Sequence, residues 1–345
     1  MRPATAAEIS DWDRLVLANP DCGHVLQSRA WGEFKRGWGW EPLYRVARAD
    51  DRDIAMLLLR RVVPGLGTLW YAPRGPGISN PLQLVALFDD LQRLHPGFVV
   101  KVDPELNAAA DLSSWSWAGL QKSPVEVQNS TATILVDLRP SEDDIIASFK
   151  PKTRYNIRLS ARKGVRVQHA AVTEATIDVM YRLMAATQQR AGFMLRPRDY
   201  FAGYWRLQHA AGQGDFFFAT LGDEVLAGCF VSHFGARAWY KDGGSSRHHH
   251  ELMAPHLLQW EVMRWLRDRG VAVYDLVAVP RPDDMSPGHP FYGLYRFKSG
   301  FNEHITEFVG TWDIPLSPRR YRLWNAAGER VTRQWTYRVH HDFFF

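Results

Sequence analysis

Two α/β units packed together are the fold class this sequence predicts, and three observations carry that expectation. The chain has 345 residues, whereas single hydrophobic cores stop growing at roughly 250–300. It is 46% hydrophobic with 14 Trp, 12 Tyr and 18 Phe, enough large apolar side chains for two cores and far from a disordered or fibrous composition. Third, one passage occurs twice: Trp-Tyr, a glycine-rich step, a helix, a glycine, a hydrophobic strand and an aspartate. It runs from Trp70-Tyr71 to Asp103 in the first half and from Trp239-Tyr240 to Asp275 in the second. A repeated order of elements predicts two copies of one unit, sharing a cleft that suits a ligand.

In chain order, Ser28 is placed to cap a short helix over 28–36 that carries Trp31, Phe34 and Lys35. Apolar and β-branched runs predict strands at 43–47, 53–60 and 67–71. The turn Pro73-Arg74-Gly75-Pro76-Gly77 follows, then a helix over 81–94 and a buried strand over 98–102 that ends in Asp103-Pro104. In the second half, 238–240 reads as a strand end and Gly243-Gly244-Ser245-Ser246 as a glycine turn. A helix over 255–268 stops at Gly270, and a strand over 271–276 carries Asp275.

The boundary between units is expected at about 137–141. A strand over 131–137 ends at Pro140, and Ser141 with Glu142, Asp143 and Asp144 has the composition of a helix cap and acidic first turn. Pro151 restarts that helix, which places Arg154, Arg158 and Arg162 on one stripe, with Tyr155 and Leu159 turned inward.

Two cysteines, Cys22 and Cys229, exclude a disulfide scaffold and a four-cysteine zinc site. Apolar runs such as 54–59 fall far short of the ~20 residues of a membrane span, and the N-terminal residues show no signal-peptide core. The expectation is a soluble, cytoplasmic protein. Net charge is only +5, but its distribution is uneven: 145–172 contains no acid and seven Lys or Arg, and Arg319, Arg320, Arg322, Arg330, Arg333 and Arg338 crowd the end. Such stripes suit a polyanion such as RNA or a nucleotide diphosphate; a solvated helix face has the same composition.

Gly75 and Gly77, between strand and helix, are placed to bind phosphate through backbone N–H groups or simply to make a turn. Neither a Walker lysine nor a dinucleotide fingerprint accompanies them, which excludes the usual NTPase and Rossmann readings. His248-His249-His250 reads as a solvated loop, because adjacent histidines do not converge on one ion and no nearby carboxylate pattern completes a set. The segment 291–301 interleaves aromatics with Arg296 and Lys298. Lys298, fixed between Phe297 and Gly300, suits a partly desolvated ammonium able to stabilise an oxyanion, or an ordinary snorkelling lysine.

Taken in order, these motifs resemble those of the FemABX family of peptidoglycan-bridge aminoacyltransferases. The similar landmarks are Gln27-Ser28 with Trp31 and Phe34-Lys35, Tyr71-Ala72-Pro73-Arg74-Gly75-Pro76, Lys101-Val102-Asp103-Pro104-Glu105 and Lys152-Thr153-Arg154-Tyr155-Asn156. Tyr240 with Gly243-Gly244, Tyr274-Asp275, and Tyr292-Gly293-Leu294-Tyr295 through Phe297-Lys298-Ser299-Gly300 complete the series. The resemblance implies two tandem acyl-CoA N-acyltransferase-like (GNAT-like) domains sharing a cleft and no coiled-coil arm. The expected domains are 1–140 with 318–345, binding the acceptor, and 141–317, taking the aminoacyl-tRNA side.

The implied reaction is attack of the side-chain amine of a peptidoglycan stem peptide on the ester of an aminoacyl-tRNA carrying a Gly, Ala or Ser-class residue. The ester is already activated, so the resemblance implies no cofactor and no metal. Partners would be aminoacyl-tRNA and UDP-MurNAc-pentapeptide or a lipid-linked precursor, with peripheral membrane contact, and the protein would act as a monomer. Lys298 matches the lysine beside the aminoacyl ester. Lys35 and Arg196 match the cationic pair on the uridine diphosphate, with Tyr200 beside them. Asp103 matches an acid that binds the acceptor ammonium or takes its proton, and binding is favoured, because an exposed carboxyl with pKa ~3.9 is a poor base at neutral pH. Tyr240, Arg74 and Phe297 join as substrate-binding candidates, and Arg154, Arg158 and Arg162 as tRNA contacts. Three departures stand out: Asp242 replaces a tyrosine, Asn302 a glycine, and Leu276-Val277-Ala278-Val279 lacks the usual glycine. An acyl-CoA-dependent acyltransferase of the same fold and a non-catalytic RNA- or precursor-binding protein are the alternatives. The pyrophosphate-cradling run of the first is not evident, and Lys298 speaks against the second.

Overall fold

The fold is built on two strand–helix–strand crossovers, one in each half of the chain. The computed structural model describes residues 1–128, 131–191, 194–340 and 342–345. It divides into a unit of 1–131 with 307–345 and a unit of 132–306.

In the first unit, seven strands lie in the order Arg2–Pro3, Glu41–Ala49, Arg52–Val63, Gly67–Ala72, Val99–Val102, Trp312–Pro315, Gln121–Lys122. Among the described residues of this sheet only Gly67–Ala72 and Val99–Val102 are parallel, with Tyr71 opposite Lys101, so a crossover must join them. The helix Pro81–Gln92 supplies it. The Asn80 side chain caps the helix by accepting from the Gln83 N–H, and Leu84, Leu87, Phe88 and Leu91 face inward. Against them lie Met56, Leu58, Trp70, Val100, Val102 and Ile314. Each such side chain, taken from water, contributes about 1.5–3 kcal/mol. The run Ile54–Leu59 is buried at every position, as expected of a strand covered on both faces.

The main sheet of the second unit has six strands among the described residues, in the order Leu135–Asp137, Val273–Asp275, Arg237–Ser245, Glu224–Phe234, Gly214–Leu221, Arg166–Ala170. Again one pair is parallel, Arg237–Ser245 with Val273–Asp275, and the helix Ala254–Arg267 joins it, burying Leu257, Leu258, Val262, Met263 and Leu266. The repeated passage in the sequence is this crossover. In each unit a Trp-Tyr pair lies on the first parallel strand, and an aspartate closes or follows the second.

Three expectations need correction. The strand Leu135–Asp137 hydrogen-bonds to Val273–Asp275 and Trp312–Pro315 to Val99–Val102, so the boundaries fall at 131/132 and 306/307, not at 140 and 317. Pairing partners far along the chain decide this, and local turn signals do not carry them. Gly243 and Gly244 are not a turn but lie within the strand Arg237–Ser245. A Cβ on Gly244 would meet the Leu183 carbonyl carbon at 2.5 Å, and one on Gly243 would strike the Tyr240 ring, so the glycines permit close approach. In the helix Pro151–Arg162 the buried positions are Thr153, Asn156, Ile157 and Ser160, and Tyr155 is 56% exposed. Among the described residues no helix is long and apolar enough to cross a membrane.

Candidate active site

In the first unit the candidate chemistry gathers behind the strand Val99–Val102. Asp103 follows directly on that strand and is 1% exposed. One carboxylate oxygen accepts from the Tyr71 hydroxyl at 2.9 Å, and the other from the Arg74 backbone N–H. Burial pushes the Asp103 carboxyl up to about 7, against the pull of the Arg74 charge and the Tyr71 hydrogen bond. The expectation of an exposed, strongly acidic carboxyl is therefore wrong, because the sequence does not show that Tyr71 and the 73–77 turn close over it. A carboxyl that titrates near neutrality is suited to proton transfer.

Its pKa carries a stability prediction. The carboxyl holds a proton more tightly in the folded chain than at its ordinary 3.8, so the contribution is fully present below about pH 4 and is lost as pH rises through about 7. Asp103→Asn removes the titration while its one amide oxygen still accepts from the Arg74 N–H and its NH2 is left to donate to the Tyr71 hydroxyl, and it should flatten that decline in chemical-denaturation curves taken across pH 4–8. An equal pH slope in both proteins would contradict the assignment.

Tyr71 also meets Phe345, ring to ring at 5.6 Å, and Trp40 stacks on Phe344 and Phe345 at 5.9 and 5.8 Å. The closing aromatics thus form part of the wall around the Tyr71–Asp103 pair, a feature with no local sequence signal. Lys35, on the helix Arg29–Arg36 capped by Ser28, is 3% exposed, with its ammonium 5.4 Å from the Trp31 ring centre and 5.9 Å from that of Trp40. Arg74 has φ +48°, and its guanidinium lies 3.8 Å from Glu105, itself 3.5 Å from His24. The 73–77 turn is braced from within: Gln27 donates to the Pro73 carbonyl at 2.7 Å, and a Cβ on Gly75 would meet that same Gln27 amide. These contacts favour the plain-turn reading over a phosphate cradle.

In the second unit Lys298 ends the short helix Tyr292–Lys298 and is 3% exposed. Its ammonium donates to the Ala278 carbonyl at 3.0 Å and to that of Val277. Those carbonyls point inward because Val277 and Ala278 hold φ of +56° and +40°, a region that non-glycine residues rarely occupy. The segment Leu276-Val277-Ala278-Val279 holds no glycine, so the chain makes the left-handed turn without the residue that would adopt it freely. Asp275 pins the turn by accepting from the Val277 N–H at 2.6 Å and from the Thr133 hydroxyl. The Tyr240 ring centre lies 5.8 Å from the ammonium. Burial lowers the Lys298 pKa to about 7, with Asp275 pulling the other way. An ammonium has three donors, and among the described residues two are directed at these carbonyls.

Phe297 packs inward, edge-on to His256 at 5.1 Å and to Phe301 at 5.4 Å, so it supports the Lys298 helix from the core side. Arg196 stands two residues ahead of the helix Arg198–Ala210, its guanidinium 4.2 Å from the Tyr200 ring centre. The structure thus brings Arg196 to Tyr200, and Lys298 to Tyr240 and Asp275. It brings Lys35 and Asp103 to the connected rings of Trp40 and Tyr71, 6.4 Å apart. Arg154 donates to the carbonyls of Ala147 and Phe149, closing the preceding helix, whereas Arg158 and Arg162 are exposed.

The profile of the FemAB family matches residues 10–207 and 205–329, which covers every residue placed above except the closing aromatics. The chain belongs to the FemAB family. Among curated relatives, the lipid II:glycine glycyltransferases of Staphylococcus haemolyticus (strain JCSC1435) and Staphylococcus aureus (strain MRSA252) are each 22% identical over 93% of this chain and 94% of their own. The crystal structure of FemX superposes with a TM-score of 0.83 at 20% identity, covering 94% of this chain and all of that one. A tandem GNAT protein from the clavulanic acid biosynthesis pathway superposes at 0.50 with 13% identity, over 92% of this chain and 98% of its own. The two units of this FemAB protein are therefore GNAT-like domains in tandem, and the chain is an enzyme of the acyltransferase class.

Proposed function

We propose that this FemAB protein transfers an amino acid from aminoacyl-tRNA to the side-chain amine of a peptidoglycan stem peptide. The observation that carries the reading is Lys298: a buried ammonium, held on two inward-turned carbonyls, with a third donor to offer. The names of the curated relatives favour glycine as the amino acid and a lipid-linked acceptor over UDP-MurNAc-pentapeptide, with the protein in peripheral contact with the membrane.

In the step proposed, the acceptor amine attacks the ester carbonyl. A C–N bond forms, the bond from carbonyl carbon to ribose oxygen breaks, and the tRNA leaves with a free terminal hydroxyl. The amine loses one proton and the ribose oxygen gains one. Lys298 donates to the oxyanion that forms on the carbonyl oxygen, where a fixed donor acts without reorganisation. Asp103, titrating near neutrality, is suited to hold the acceptor ammonium and take its proton. Lys35 and the stacked Arg196–Tyr200 pair provide charge for a diphosphate, and Tyr240 closes the Lys298 side. Arg158 and Arg162 line one groove with exposed Tyr155, a combination of cations and a free aromatic face that suits an RNA strand.

The reading is tested by incubating the protein with a pool of tRNA charged with labelled amino acids and either lipid II or UDP-MurNAc-pentapeptide, with acetyl-CoA as the control donor. A labelled stem peptide made only from charged tRNA is the expected product.

A further inference from the structure

One motif takes no part in the proposed reaction. His248-His249-His250 follows the strand Arg237–Ser245, and the adjoining sequence offers it one carboxylate, Glu251, which does not complete a set. The fold does: Glu224, first residue of the strand Glu224–Phe234, is brought beside the loop. Its carboxylate lies 3.4 Å from His248 Nδ1 and 3.8 Å from His249 Nε2. One donor atom from each of the three residues lies within 4.8 Å of the other two. A tetrahedral ion bound at about 2.0–2.1 Å separates its ligand atoms by roughly 3.4 Å. The two short contacts use different oxygens of Glu224, Oε1 to His248 and Oε2 to His249, so a rotation of the carboxylate that turns one oxygen toward both imidazoles completes the set.

A further feature orients one ligand. His249 turns Nε2 toward the cluster and places Nδ1 3.4 Å from Glu251. A carboxylate on the far nitrogen is the arrangement that fixes the tautomer and direction of a metal-bound imidazole. His249 sits at φ +54°, which separates its direction from that of its neighbours, and its ring lies at 81° to that of His248. The objection that adjacent histidines do not converge therefore fails here, because the left-handed backbone breaks the regular alternation.

We propose that Glu224, His248 and His249 form a binding site for a zinc-class divalent ion, with Glu251 as the outer support of His249. Two imidazoles and one carboxylate are a borderline donor set that suits Zn²⁺, Ni²⁺ or Cu²⁺ and does not suit Mg²⁺ or Ca²⁺. The site is open to solvent, with His248 80% and His249 43% exposed, so the ion exchanges freely and water completes its coordination. Bound there, it ties the start of one central strand to the loop that leads into the crossover helix. This assignment revises the expectation of a metal-free chain and does not depend on the transfer reaction.

The test is isothermal titration of Zn²⁺ into the full chain carrying Cys22→Ser, since that cysteine is an exposed thiol. One equivalent should bind. Glu224→Gln and His249→Ala should each weaken it at least about tenfold, and Glu251→Gln by roughly 10–100-fold if it acts as outer support. His250→Ala should leave it unchanged, and Mg²⁺ should give no signal. These are surface positions, and circular dichroism confirms that each variant is folded. Absence of stoichiometric binding would overturn the site. So would an unchanged affinity in Glu224→Gln, or a loss in His250→Ala equal to that in His249→Ala, because a flexible histidine run would then be the ligand.

Discussion

Lys298→Ala is expected to lower kcat for amino-acid transfer by about 10²–10³, the cost of removing one preorganised donor from a developing oxyanion. Acceptor affinity should stay within about twofold. The asymmetry follows from geometry: the ammonium is buried on the Val277 and Ala278 carbonyls, so a group bound elsewhere does not feel its loss. Folding should change little. Removing the lysine leaves two carbonyls without their donor, at about 1–3 kcal/mol for a buried unsatisfied group, but it also removes an ammonium whose charged form burial disfavours. These terms oppose each other, so a melting temperature near that of the parent is expected, and the lost rate then reports chemistry. A variant with unchanged kcat would remove Lys298 from the mechanism.

Lys101→Met is expected to produce the largest loss of stability in the first unit, about 3–5 kcal/mol, the usual result of stripping one partner from a buried ion pair. The ammonium of Lys101 is fully buried, 3.0 Å from Asp313, 2.8 Å from the Ser123 hydroxyl and 3.5 Å from Glu329. Methionine matches the stem in length but leaves Asp313, also fully buried, without its cation. The Asp313 carboxyl already titrates above its ordinary range because of burial, with Lys101 opposing that shift. Lys101 and Asp313 stand opposite one another on neighbouring strands, 212 positions apart in the chain, so the pair fastens the returning segment into the sheet. Urea unfolding should show a lower midpoint. A double variant, Lys101→Met with Asp313→Leu, should recover part of the loss, because Glu329 still lacks the lysine and the Tyr321 hydroxyl loses its acceptor; no recovery at all would mean that the Lys101–Asp313 pairing does not carry the stability.

The crossovers were legible because they rest on local signals. Asn80-Pro81 starts one helix, Gly270 stops the other, and hydrophobic runs mark the strands on either side. The repeat of Trp-Tyr and Asp around each crossover is a sequence image of the parallel pairs. What the sequence concealed depends on distant partners. Tyr71 and Arg74 bury Asp103 and move its titration toward neutrality. Phe345 reaches Tyr71 across 274 positions of chain. Gly243-Gly244 has the composition of a turn, but it is a strand that a helix backbone approaches closely. Tyr155 was expected inside because it lies beside the arginine stripe, yet the hydrophobic demand of that helix is met by Ile157 and the small residues Thr153 and Ser160. Lys298 could be named from its motif, while the left-handed Val277-Ala278 turn that holds it could not.

The most direct measurement of the central claim is transfer of labelled glycine from glycyl-tRNA to lipid II by the purified full chain, with the product identified by mass spectrometry. The account predicts a stem peptide heavier by whole glycine residues on its side-chain amine, abolished when the tRNA is digested with ribonuclease beforehand and absent with free glycine or acetyl-CoA. Formation of an acetylated peptide from acetyl-CoA, with no product from charged tRNA on either lipid II or UDP-MurNAc-pentapeptide, would contradict it.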